Sequence, residues 1–160
     1  MGDCKLPNFE EMGFATLDLE REKRQGFSEV VYCEGKTEEQ NLAILKKLAK
    51  SHNQVLGTRA NEIVGRRAEL EIPFCTYYPL SRVIKIEKEK RIIDSERFIL
   101  VVAAGTSDIP VAEEAALTAQ IMGNRVETLY DVGVAGIHRL LAKEELLQKA
   151  NVLVVVAGME

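Results

Sequence analysis

Cysteine is scarce in this sequence. Cys4, Cys33 and Cys75 are scattered and odd in number among 160 residues, which excludes a disulfide framework and fits reduced thiols in a cytoplasmic protein. None of the three has a neighbour at metal-ligand spacing. The only histidines are His52 and His138, so no metal site is expected. A basic excess is also missing: 21 basic against 25 acidic residues give a formal net charge of −4, which argues against a nucleic-acid partner. The N-terminus "MGDCKLPNFEEMG" has no apolar stretch of signal-peptide length. Leu6 stands where a myristoylation signal needs Ser or Thr. No run approaches the ~20 apolar residues of a membrane span, so no membrane partner is expected. The dinucleotide fingerprint GxGxxG and the phosphate loop GxxxxGK[ST] are both absent.

What is present is an ordinary globular composition, 46% hydrophobic and 29% charged, with two textures. Residues 1–92 read as an N-terminal α+β region and residues 93–160 as the first part of an α/β domain, with the charge-dense "KIEKEKRIIDSER" at the seam. In the first region, "FATLDLEREKRQG" begins with apolar–polar alternation at Phe14, Thr16 and Asp18 and closes at Gly26. "SEVVYCEG" reads as a short strand. "KTEEQNLAILKKLAKSH" is a helix with Thr37 as cap and Gln40 completing a capping box; Leu42, Leu45 and Leu48 or Ala49 share a face. "QVLGTRA" follows as a strand, then a short helix capped by Asn61. "TYYPLSRVIKIE" reads as one strand with an edge or bend at Pro79.

In the second region, "RFILVVAAG" is the unbroken apolar run of a strand buried on both faces of a parallel sheet. Pro110 suits the first turn of the next helix. Val111, Ala115, Ala119 and Met122 form its expected packing stripe, and Gly123 with Asn124 stops it. "RVETLYDVG" is a second strand, "AGIHRLLAKEELLQKA" a helix with a break near Ala142, and "NVLVVVAG" a third buried strand. Strand–helix–strand–helix–strand at this spacing implies a parallel sheet. The last strand needs neighbours and cover on both faces, so the chain reads as a fragment of a longer α/β protein.

Open parallel sheets bind ligands beyond the carboxyl ends of their strands. Three such ends occur here: Gly105-Thr106-Ser107-Asp108; Tyr130, Asp131 and Gly133, leading to His138 and Arg139; and Gly158, Met159 and Glu160. The helix after Asp108 aims free N–H groups into the same space, favouring a phosphate or carboxylate. Taken alone, the pattern leaves alternatives open. Ser107 and Asp108 also suit helix capping, Asp131 a loop turn, His138 a structural role, and Arg139 a solvated charge.

The order of these motifs resembles a known arrangement. "VVAAGTSDIPVAEEAALTAQIMG", "VETLYDVGVAGIHRLL" and "NVLVVVAGME" look like the start of the aminoimidazole ribonucleotide carboxylase (PurE-type) domain, a flavodoxin-like three-layer α/β fold. Gly105–Asp108 matches that family's loop after its first strand. Gly136-Ile137-His138-Arg139 sits, displaced and altered, where an Ala-His-Arg segment would fall. "LDLEREKRQGFSEVVYCEGKT" and "VLGTRA" are similar to the N-terminal signature of the LarB family, the nickel-pincer nucleotide cofactor biosynthesis carboxylases that support lactate racemase maturation. Together the motifs cover about residues 14–160, and the chain is identified as a member of that family.

The resemblance implies a reaction. Nicotinic acid adenine dinucleotide and CO2 become pyridinium-3,5-biscarboxylic acid mononucleotide and AMP. A cysteine thiolate adds to the pyridinium ring, the dearomatised ring takes up CO2, rearomatisation expels the cysteine, and the phosphoanhydride is hydrolysed. It implies Ser107, Asp108 and Glu160 as catalytic residues, Glu160 near the ring. Gly105, Thr106, His138 and Arg139 would bind substrate, and Arg24 and Arg59 would hold phosphates. The nucleophilic cysteine would follow a later strand, beyond residue 160. No cofactor is expected to be tightly bound, with Mg2+ a candidate aid to phosphoanhydride hydrolysis. The assembly implied is a homo-oligomer, an octamer. The rival readings are a PurE-type carboxylase or mutase of an aminoimidazole ribonucleotide, and a non-catalytic nucleotide-binding module.

Overall fold

The computed structural model describes residues 9–158. Cys4 and Glu160 lie outside the described residues. The chain divides into two compact units. One takes in the chain up to Tyr77 together with Ile84–Glu89; the other takes in Tyr78–Val83 and the chain from Lys90 onward.

The first unit opens with β1 (Phe9–Glu11) paired antiparallel to β2 (Thr16–Asp18). A single helical turn, α1 (Arg21–Gln25), ends at Gly26. Then come β3 (Val30–Tyr32), α2 (Glu38–Ser51), β4 (Gln54–Thr58), α3 (Glu62–Glu71), β5 (Cys75–Tyr78) and β6 (Val83–Glu87). The four later strands form one sheet in the order β3-β4-β6-β5, with β3 parallel and β6 antiparallel to β4. The helix boundaries follow local chemistry. Thr37 accepts from the Gln40 N–H at 3.2 Å while the Gln40 side chain accepts from the Thr37 N–H at 3.0 Å, the reciprocal capping box expected from the sequence. Asn61 accepts from the Val64 N–H at 2.8 Å. Leu42, Leu45 and Leu48 pack with Val55, Ile84 and Ile86 in one core. Segment 75–87 is two neighbouring strands rather than one: Pro79, which brings no N–H to a ladder, sits in the turn between them.

The second unit is the α/β part. β7 (Asp94–Ala103) leads through a 3-10 turn at Thr106–Asp108 into α4 (Ile109–Ile121); β8 (Asn124–Leu129), a second 3-10 turn at Val134–Gly136, α5 (Ile137–Leu141), α6 (Glu144–Lys149) and β9 (Val152–Val156) follow. The sheet order is β8-β7-β9, and both pairings are parallel. The fold class is therefore α/β, as the alternation of apolar strands and helices implied. The break expected near Ala142 is present: α5 ends at Leu141 and α6 starts at Glu144, with a turn through Ala142.

Two expectations for this unit are corrected. The packing face of α4 is Ala112, Ala116, Leu117 and Ile121, while Val111 is 51% exposed. Of the anticipated stripe Val111 faces solvent, whereas Ala115 packs against the core and Ala119 and Met122 are half-buried; small apolar residues lie on several sides of α4, so periodicity alone does not choose its face. Second, β9 is not buried on both faces. It lies at the edge of the sheet, with Val152, Leu153 and Val155 exposed. The strand that has the buried character expected of a parallel sheet is the central one, β7, where Leu100, Val101 and Ala103 are inaccessible to solvent.

Candidate functional site

Because β7, β8 and β9 run parallel, their carboxyl ends come to one edge. A cleft of about 670 Å³ opens there, within the range of small-molecule sites. Its walls come from all three strand ends: Gly105, Ser107 and Asp108 after β7; Asp131, Gly133 and Arg139 after β8; Ala157 and Gly158 after β9. Apolar side chains, among them Val102, Val132 and Leu140, supply the rest. A flat ring can lie against such a surface while a few polar groups orient it.

Asp108 does not cap α4; no side-chain capping bond is made there. Instead its Oδ2 accepts from the Gly105 N–H at 2.9 Å and its Oδ1 accepts from the Gly158 N–H at 3.0 Å. One carboxylate thus ties the first strand-end loop to the third. The loop after β8 is tied to β7 in a different way. The Gly133 N–H donates to the Ala104 carbonyl at 2.7 Å, and a Cβ on Gly133 would sit 2.9 Å from that same oxygen. Only glycine permits this approach. Asp131 takes a left-handed backbone (φ 59°) and its Oδ2 accepts from Arg139 Nη1 at 2.7 Å.

Of the residues anticipated from the sequence, Gly105, Ser107, Asp108 and Arg139 meet in this cleft. Thr106 and His138 are exposed and do not line it. Arg24 and Arg59 belong to the other unit. There Arg24 is ion-paired with Asp18, and this partner holds the Asp18 carboxyl below its ordinary range; Arg59 has a left-handed backbone (φ 55°) at the end of β4. Sequence reasoning missed the apolar lining, Val132, Val134, Ala135 and Leu140. These residues follow β8 without periodicity, and only the closure of the loop onto Ala104 brings them to the edge.

Two thiols can be judged. Cys33 is buried. Burial, reinforced by Glu69, pushes the Cys75 thiol up to about 12, so it is protonated at neutral pH and a poor nucleophile. Among the described residues no three of His, Cys, Asp or Glu converge as a metal site would require. Both carboxylates in the cleft are already engaged, Asp108 by two N–H groups and Asp131 by Arg139. These residues do not fit a Mg2+ site. No helix among the described residues is long and apolar enough to cross a membrane.

The fold and cleft define an α/β protein of the class that takes small ligands at the carboxyl edge of a parallel sheet. Its family can be named as well: residues 9–89 match the model of the LarB/PurE-like N-terminal domain, and the chain belongs to that carboxylase-related family. It is also 37% identical, over 155 residues, to an uncharacterized protein of Methanocaldococcus jannaschii, a match covering 90% of this chain and 59% of that protein. The chain thus spans less than two thirds of the length of the curated relative it matches.

Proposed function

We propose that the protein is a carboxylase and hydrolase that converts nicotinic acid adenine dinucleotide and CO2 into pyridinium-3,5-biscarboxylic acid mononucleotide and AMP, in nickel-pincer cofactor biosynthesis. The observation that carries this reading is the LarB-type N-terminal domain at residues 9–89 followed in the same chain by a parallel-sheet cleft. The apolar wall suits a pyridinium ring, and the guanidinium of Arg139 suits an anionic group. In this scheme a cysteine thiolate adds to the ring, the enamine carbon so formed attacks CO2, loss of the proton from that carbon regenerates the enamine, and expulsion of the thiolate restores aromaticity; water then cleaves the phosphoanhydride and releases AMP. Neither buried Cys33 nor Cys75, held protonated, suits that nucleophile. Ser107 and Asp108 would orient the substrate, Asp108 by holding two loops in register, and Glu160 would take the ring proton. The protein would act as a cytoplasmic homo-oligomer, an octamer.

The test is AMP release from nicotinic acid adenine dinucleotide by the full-length protein, which would carry the nucleophile, followed by chromatography with and without bicarbonate. Bicarbonate-dependent release is expected. Release that ignores bicarbonate would reduce the proposal to a simple phosphoanhydride hydrolase, and turnover of an aminoimidazole ribonucleotide instead would reassign the protein.

A further inference from the structure

Three features converge on the Arg139 side chain. Its Nη1 donates to Asp131 Oδ2 at 2.7 Å. A Cβ built on Gly136 would lie 2.8 Å from its Nε and 3.4 Å from its Cζ and Nη2, so the side chain folds back over the start of α5, and a methyl group at 136 would push the guanidinium out of this position. Asp131, the partner, holds a left-handed backbone, which costs a non-glycine residue energy and is least costly for Asp and Asn. Strain of this kind persists where the surroundings enforce it, often at ligand sites. Both Asp131 and Arg139 line the cleft. An exposed ion pair adds little stability in general, so stability alone does not account for a strained residue placed to hold an arginine at a cleft wall.

We infer that Asp131 is a positioning residue: together with the open space at Gly136, it fixes the Arg139 guanidinium against the cleft wall so that its remaining N–H donors meet an anionic group of the substrate. Asp131 engages Nη1 alone, and arginine carries five N–H donors in a rigid fork, enough for bidentate contact with a phosphate or a carboxylate. This rests on the reading that the cleft is the substrate site. Asp131 neutralises part of the charge of Arg139 but holds it in one orientation, which reduces the ordering cost when the anion arrives.

The test is calorimetric titration of the whole protein with AMP, a phosphate without a pyridine, and with nicotinate, a pyridine carboxylate without a phosphate. Asp131→Asn tolerates the same backbone and removes the charge; Gly136→Ala fills the space under Arg139; Arg139→Gln removes the donor fork. Asp131→Asn and Gly136→Ala should each weaken one of the two ligands roughly tenfold, as expected for coupled neighbours. In an Arg139→Gln background Asp131→Asn should have no further effect. A loss with AMP assigns a phosphate; a loss with nicotinate assigns the carboxylate. If the unaltered protein binds a ligand and Asp131→Asn changes neither affinity, or acts equally with and without Arg139, the positioning role is overturned while the cleft reading survives. If neither ligand binds the unaltered protein, both fall together.

Discussion

The two units solve the burial problem in opposite ways. In the first, α2 presents one leucine-rich face to a sheet whose middle strands, β4 and β6, are buried on that side. Leu45, Leu48, Val55, Ile84 and Ile86 are closed to solvent, and both of its longer helices begin with a side-chain cap. In the second, burial is concentrated in the later half of β7, Phe98–Ala103; its neighbour β9 keeps Val155 65% exposed, and α4, α5 and α6 start without side-chain caps. Polar groups that would cap a helix in the first unit bridge loops in the second. Thr37 serves its own helix, whereas Asp108 reaches to Gly105 and Gly158. Most of the large side chains closed to solvent lie in the first unit, and the open strand edge lies in the second.

Leu48→Ala should break the comparison most strongly. Removing a fully buried leucine from the first unit should cost about 3 kcal/mol, within the range for such truncations, measured by chemical denaturation. An equal change at exposed Val155 in the second unit should cost less than about 0.5 kcal/mol. Asp108→Asn should come next. Its amide can replace one accepted N–H bond but not both, so turnover should fall ~100-fold through misplacement of the strand-end loops, with a stability loss of about 1 kcal/mol. Comparing the melting temperature with kcat separates the two.

The sequence made these caps and clamps legible to different degrees, for a physical reason. Thr37–Gln40 and Asn61 act within three residues, so their residue types and spacing were enough. Asp108 was visible as a polar residue at a strand end, but its bond to Gly158 spans 50 residues and depends on β9 pairing beside β7. The face of α4 is only partly legible: Ala115 packs inward and Val111 does not, because alanines and valine offer little contrast between faces. Segment 76–87 reads as one strand in the sequence because the turn at Pro79 is short and flanked by apolar residues. The contact of Gly133 with Ala104 had no local signal at all.

Thr37→Ala sharpens the comparison at smaller scale. Losing that cap should destabilise the first unit by about 1 kcal/mol without altering kcat. The smallest effect concerns acid. Two N–H groups and the Arg97 guanidinium hold the Asp94 carboxyl down to about 2. A lowered folded-state value means a contribution present above the ordinary value near 3.8 and lost as pH falls toward 2. Asp94→Asn should therefore remove this small contribution at neutral pH and flatten the stability profile of the second unit between about pH 4 and pH 2, so that variant and unaltered protein converge in acid, as acid titration followed by circular dichroism would show.

The central claim, that the open edge carboxylates a pyridinium nucleotide, is tested most directly by mass spectrometry of the product formed from nicotinic acid adenine dinucleotide in carbon-13 bicarbonate. The account predicts a mononucleotide with two ring carboxylates, one of them labelled, released together with AMP. An unlabelled pyridine after full incubation, with label appearing instead in an aminoimidazole ribonucleotide or nowhere, would contradict it.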